Sequence, residues 1–262
     1  MSNFTDFISG GGSASYPTIF LHNSQTWVPP QDGNIMIHVI GAGGSGSGSD
    51  VTTNVESGAA GGYCRKNSLA VTTSGSFTVV IGAGGASVIG AIAAGTAGGT
   101  TTVAGTGLGS TLTATGGAGG ALAANTYTTG GVGSNGDVNT NGGRGGYLKG
   151  GGAVGLTGAG NDGIAGQTYR KSIGADCDIL GDFYSSTLGQ ISGGAGGTLY
   201  RSSLIVEAGE LAGGGGSADS SQPMVAGHAS IGGGGGFTHG APSADIITGR
   251  GGEGCVVIQY IP

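Results

Sequence analysis

Short runs of alternating apolar and polar residues occupy the first 115 positions. In Ser76-Phe-Thr-Val-Val-Ile81 and Asn34-Ile-Met-Ile-His-Val-Ile40, every second residue is Val, Ile or Phe. That is the period of a strand with one buried face. The same reading predicts strands at Tyr16–Leu21, Gln25–Val28, Asn34–Ile40, Gly62–Val71, Ser76–Ile81, Thr100–Ala104 and Ser110–Thr115, with a closing one at Cys255–Ile261. Pro29-Pro30 and Asp32-Gly33 mark a turn between two of them. No window carries a 3.6-residue apolar stripe free of glycine, so no α-helix is expected.

After residue 115 the alternation gives way to glycine clusters: Gly116–Gly120, Gly130–Gly133, Gly142–Gly146, Gly150–Gly152, Gly193–Gly197, Gly213–Gly216, Gly232–Gly236 and Gly249–Gly252. The inserts between them differ widely in length, so no fixed repeat period exists. Glycine supplies 66 of the 262 residues, against a usual share of roughly 7%. Collagen would need glycine at every third position and abundant proline, but only 6 prolines are present. Disorder would need few apolar residues, whereas 37% of the chain is hydrophobic.

One ordered arrangement requires glycine. Extended left-handed three-fold helices can pack side by side when no Cβ holds their backbones apart, and they then hydrogen-bond to one another because they cannot bond within themselves. The expected fold is therefore an all-β N-terminal module plus a glycine-rich domain of packed polyglycine II helices, with essentially no α-helix. Its expected divisions are a segment at 1–15, a strand-rich module at 16–115, a polyglycine-helix domain at 116–254 and a closing strand at 255–262 that packs on the N-terminal module.

Charge narrows the partners. Lys and Arg number 8 and the net charge is −6, which disfavours nucleic acid and anionic membrane surfaces. No 18-residue apolar run predicts a membrane span. The N-terminus lacks the basic start of a secretion signal, so synthesis in a cytoplasm without a signal peptide is expected. Cys64, Cys177 and Cys255 form neither a disulfide framework nor a zinc pattern.

The phrases "QTWVPP", "IMIHVIGAGGSGSG", "GGYCRKNSLAV", "SFTVVIGAGG", "GGTTTVAG" and "GRGGEGCVVIQY" resemble the glycine-rich domain common in bacteriophage tail proteins. The later clusters resemble the glycine-rich adhesins that cap long tail fibres in some T-even-like phages. That resemblance implies a polyglycine-helix sandwich whose loops bind host surface receptors, and a place at the fibre tip of a virion. Residues 1–15 are then the expected attachment segment. The adhesins carry a separate N-terminal attachment region, whereas only Met1 to about Ser15 precede the first expected strand.

Enzyme motifs are weak throughout. Gly41-x-Gly43-x-x-Gly46 comes after an apolar run with the spacing of a dinucleotide site, but that chemistry needs a helix whose amides face the pyrophosphate. Ser45-Gly-Ser-Gly-Ser-Asp-Val-Thr-Thr-Asn54 forms no helix, and "VIGAGG" recurs at Val80–Gly85 in the same helix-free context. Both phrases are read as strands running into glycine rods. Gly158–Gly166 matches a single calcium-binding nonapeptide without the consecutive repeats such a site needs. Asp176, Asp178 and Asp182 lack both EF-hand spacing and a closing Glu, so they are read as a solvated acidic loop. His22, His38, His228 and His239 never pair at metal spacing. No catalytic residue, metal ligand or cofactor is nominated.

The inserts remain. Tyr127, Asn135, Asn139, Tyr169, Phe183, Tyr184, His228, Phe237 and His239 are the candidate receptor-binding residues. Aromatic side chains at the edge of a rigid scaffold offer large contact area at low entropy cost. The expected function is a phage tail-fibre tip adhesin that binds a bacterial surface glycan or outer-membrane protein, its other partners being virion proteins and further copies of itself. The alternatives are a fibre-joining or decoration protein without receptor role and a secreted ice-binding or matrix protein. The irregular aromatic inserts count against the latter, and an enzyme is not expected.

Overall fold

A computed structural model describes residues 17–50, 55–123, 126–146, 162, 224–225, 231–239 and 246–262, with the backbone alone at 224–225 and His239. Among these residues there is no helix. Ten strands build two five-stranded antiparallel sheets. The first has the order β1 (Thr18–Leu21), β14 (Cys255–Ile261), β3 (Gly33–Ile40), β5 (Tyr63–Val71), β10 (Val138–Thr140). The second runs β2 (Gln25–Trp27), β6 (Phe77–Val80), β7 (Thr101–Gly105), β8 (Leu112–Ala114), β9 (Gly133–Ser134). Four two-residue strands, β4 (Gly48–Ser49), β11 (Met224–Val225), β12 (Thr238–His239) and β13 (Ile246–Ile247), make two short parallel pairs, β4 with β12 and β11 with β13.

Alternation decides which faces meet. In β6, Phe77 and Val79 are buried while Thr78 and Val80 are exposed. Ile35, Ile37, Val39, Leu69, Val71, Val256 and Ile258 of the first sheet share one core with Trp27, Phe77, Val79, Val103 and Leu112. Burying each large side chain contributes about 1.5–3 kcal/mol. A second, smaller cluster lies on the other face of the first sheet, around Ile40, Tyr63, Cys255 and Val257.

Each long strand of the sandwich runs into a stretch of another kind. Nine extended segments, at 41–47, 55–62, 82–88, 93–99, 115–120, 128–132, 141–146, 232–237 and 248–254, bond sideways to one another through backbone groups. They are numbered rods 1 to 9 in chain order. Rod 1 shows the rule. Its Gly41, Gly44 and Ser47 N–H groups donate to Gly62, Ala59 and Glu56 of rod 2 at 2.8, 2.9 and 3.0 Å. Ala42 and Ser45 donate to Gly99 and Thr96 of rod 4, while Gly43 and Gly46 donate to Gly252 and Gly249 of rod 9. Every third residue faces the same neighbour, which is the period of a polyglycine II helix. Rod 1 also accepts bonds from Gly85 of rod 3, Gly117 and Gly120 of rod 5 and Gly235 of rod 8. It is therefore ringed by six others, and its amides are satisfied with no help from water.

The contact distances explain the glycines. A Cβ at Gly43 would lie 1.8 Å from the Gly233 carbonyl oxygen, and one at Gly58 would lie 2.0 Å from that of Gly44. No side chain fits there. The dinucleotide-like spacing thus serves a neighbouring backbone, and Gly46 leads only into the end of rod 1 and the short strand β4.

Strands and rods alternate along the chain. Rods 1, 3, 5 and 7 continue β3, β6, β8 and β10 away from the sandwich, while rods 2, 4, 6 and 9 return into β5, β7, β9 and β14. Rod 8 runs outward too, since Gly232 bonds to Glu253 near the sheets and Thr238 bonds to Ser47 at the far end. Rods from before residue 115 bond directly to rods from after it, so the described rods of the stretches 16–115 and 116–254 interleave in one slab. β14, from the last residues of the chain, sits between β1 and β3.

Candidate functional site

Because outward and returning rods alternate, their turns collect at the end of the slab away from the sheets. The described parts of these turns, residues 48–50, 89–92, 121–123, 126–127, 238–239 and 246–247, lie there, and rod 7 ends there at residue 146. At about 3.1 Å per residue, rods of five to eight residues hold this end roughly 15–25 Å from the strands. Ile89, Ile92, Leu122 and Tyr127 expose 71%, 46%, 40% and 42% of their surface there, while Val28, Val80 and Val132, in or beside the strands, expose 50%, 43% and 47%.

Tyr127 is fixed on both sides. Its neighbour Thr126 donates its hydroxyl to Glu56 Oε1, and Glu56 itself is fully buried at the end of rod 2. Thr128 donates its N–H to Gly145 O at 2.9 Å and its hydroxyl to Ser57 O at 3.1 Å. The Arg144 guanidinium lies over the Tyr127 ring, 4.9 Å from its centre, close enough for cation–π attraction. Asp162 in turn holds Arg144. It accepts from the Arg144 backbone N–H at 2.8 Å, from Nε at 2.9 Å and from Nη2 at 2.7 Å. Hydrogen bonding to Arg144 keeps the Asp162 carboxyl below its ordinary range, and the same bonds raise the Arg144 pKa.

Residues 20–261 match the glycine-rich domain family. The chain belongs to that family. No curated protein matches it closely enough to serve as a relative.

Within this glycine-rich domain the candidate residues separate. Tyr127 stands at the far end. Asn135 and Asn139 lie at the opposite end of the same hairpin, Asn135 in the turn between β9 and β10 and Asn139 within β10, where their amides have structural partners. Asn135 adopts the left-handed conformation (φ 64°) that Asn tolerates and donates to Thr111 O at 2.8 Å. Asn139 accepts from Gly136 N–H and donates to Gly136 O. Phe237 is fully buried where rod 8 reaches the far end, so its ring packs inside the slab and is closed to a partner. The His239 backbone pairs with Ser49 at that end. Tyr169, Phe183, Tyr184 and His228 lie outside the described residues, as do Asp176, Asp178 and Asp182.

Arg144 was not among the candidates, although a signal existed: it is the lone charged residue in Gly142-Gly-Arg-Gly-Gly146. Among the described residues, no group of three His, Cys, Asp or Glu could hold a metal ion, and no helix is long and apolar enough to cross a membrane. The other titratable cluster is structural. His38 Nδ1 and Tyr63 Oη lie 2.9 Å apart in the first sheet, and burial with help from Arg65 lowers the His38 pKa to about 4. Burial pushes the Cys64 thiol up to about 11, away from the thiolate that reactive cysteines need.

Proposed function

We propose that this glycine-rich domain is the tip adhesin of a bacteriophage tail fibre, binding a bacterial surface glycan or outer-membrane protein through the turns at the far end of its rods. One observation carries the reading. The described parts of four turns and the end of rod 7 converge on a single end of a rigid slab, and that end exposes Tyr127, Ile89, Ile92 and Leu122. Turns that served only to reverse the chain would collect at this end too, but they would not need these exposed apolar side chains. The phrases shared with phage tail glycine-rich proteins supply the setting.

The test is adsorption. Fluorescently labelled chain is expected to coat susceptible bacteria, and exchanging turns 89–92 and 121–127 for those of a homologue with another host is expected to redirect it. Exchanged variants that keep the original hosts would favour a fibre-joining or decoration role instead.

A further inference from the structure

The three residues Tyr127, Arg144 and Asp162 offer a more specific site, resting on the reading of the far end as a receptor-binding surface. We propose that they form a subsite for a neutral pyranoside unit of a bacterial surface polysaccharide, the sugar ring stacking on the exposed part of the Tyr127 ring while its hydroxyls bond to Arg144 and Asp162.

Rigidity is the first ground. Thr126 and Thr128 anchor the backbone on either side of Tyr127 to rods 2 and 7, and Arg144 is held by three hydrogen bonds to one carboxylate. A preformed platform loses little freedom when a ligand arrives. Chemical match is the second. A pyranose presents an apolar C–H face and a rim of hydroxyls. A Tyr ring at 42% exposure beside an ion pair whose side chains are about half exposed, at 52% and 43%, offers the same two kinds of surface in the same order. The guanidinium keeps N–H donors beyond the two that Asp162 uses, and the carboxylate keeps lone pairs.

Charge is the third ground, and it selects neutral over acidic sugars. Among the described residues Lys66, Arg144 and Arg250 are each matched by a carboxylate, Asp137, Asp162 and Glu253, and Arg65, which donates to Asn67 Oδ1, lies in the sheets away from this end. With a net charge of −6, the protein would repel a polyanion as a whole, and the paired Arg144 adds no local excess of positive charge to offset this.

The experiment uses the full chain and two purified probes, a neutral bacterial polysaccharide of hexoses and one rich in uronic acids, with binding measured by calorimetry. The neutral polymer is expected to bind and the acidic one not. Tyr127→Ala is expected to weaken binding about tenfold with an unchanged melting temperature, and Tyr127→Phe, which keeps the ring, to retain it. Arg144→Gln, which breaks the ion pair, should weaken it too. Unchanged binding in Tyr127→Ala would overturn the subsite, as would preference for the acidic polymer. Adsorption to cells that survives periodate oxidation of their glycans, but not protease treatment of their surface, would assign the far end to a protein receptor and remove the sugar. A chain that adsorbs to no bacterium would remove the reading beneath it.

Discussion

The two halves of this molecule are cohesive for opposite reasons. Between the sheets the interior is filled by side chains, with Phe77 and Trp27 in ring contact at 5.5 Å and Ile35, Ile37 and Leu112 fully buried. Among the rods the interior is filled by backbone, and neighbouring carbonyl oxygens occupy the space a Cβ on the glycines would need. A side-chain core derives its stability from apolar area removed from water and adapts its shape through rotamers. A backbone core derives its stability from paired N–H and C=O groups and has no rotamer with which to adapt. Added volume should therefore be far more damaging among the rods, and removed volume only between the sheets.

The largest expected effect is at rod 1. Gly43→Ala places a methyl 1.8 Å from the Gly233 oxygen, which demands separation of two rods, and a loss on the order of 4 kcal/mol or more is expected. Soluble yield and urea denaturation report it, and a folded Gly43→Ala protein of wild-type stability would refute the backbone-core account. Next is Phe77→Ala in the sandwich, where truncation of a fully buried ring is expected to cost about 3–5 kcal/mol by the same assay.

A third expectation belongs to the sheet half alone. His38 stays neutral when folded down to about pH 4, whereas its ordinary value is 6.5. The unfolded chain therefore binds the proton first. The contribution of His38 is complete above pH 6.5 and declines as pH falls toward 4, by about 1.4 kcal/mol per unit and about 3 kcal/mol in all. Urea midpoints between pH 7.5 and 4 should track that slope in the wild type and lie flatter in His38→Gln.

The smallest effects mark glycines outside the slab. Gly90, at φ 63° with open space around it, is expected to lose about 1–2 kcal/mol as Ala because of backbone conformation alone. Gly109, also in open space and without the left-handed conformation, is expected to gain up to about 1 kcal/mol as Ala. The series Gly43, Gly90, Gly109 separates close approach, conformation and neither.

Legibility in the sequence obeyed the same divide. The eight expected strands of the sandwich lie within a few residues of β1, β2, β3, β5, β6, β7, β8 and β14, because alternation is a local signal. Rods 1 and 3 were legible in "VIGAGG", and rods 5 to 9 in their glycine clusters. Rods 2 and 4 were not. Val55-Glu-Ser-Gly-Ala-Ala-Gly-Gly62 and Ala93-Ala-Gly-Thr-Ala-Gly-Gly99 reserve glycine only for positions pressed against a neighbour, such as Gly58, Gly61, Gly95 and Gly98. The strands β4, β9, β11, β12 and β13 are two residues long and β10 three, too short for any periodicity to register. Which rods adjoin, and hence the interleaving of early and late segments, depends on long-range bonds that no local pattern encodes. At the site, Tyr127 was legible as an aromatic in an insert. The burial of Phe237 depends on how rod 8 packs, and Arg144 meets Asp162 across 18 residues of chain, so neither is marked by a local pattern.

The opposed rod directions divide the chain's information into two vocabularies. Glycine and alanine, spelled in threes along the rods, specify where each backbone lies, while the turns at the far end are written in every other letter. A substitution at an exposed turn position such as Ile89, Ile92 or Leu122 alters the surface at this end without touching a residue on which the slab depends. A change that adds volume among the rods is answered by unfolding, whereas a change at an exposed turn position alters only the surface, so shape and surface can vary independently in this fold.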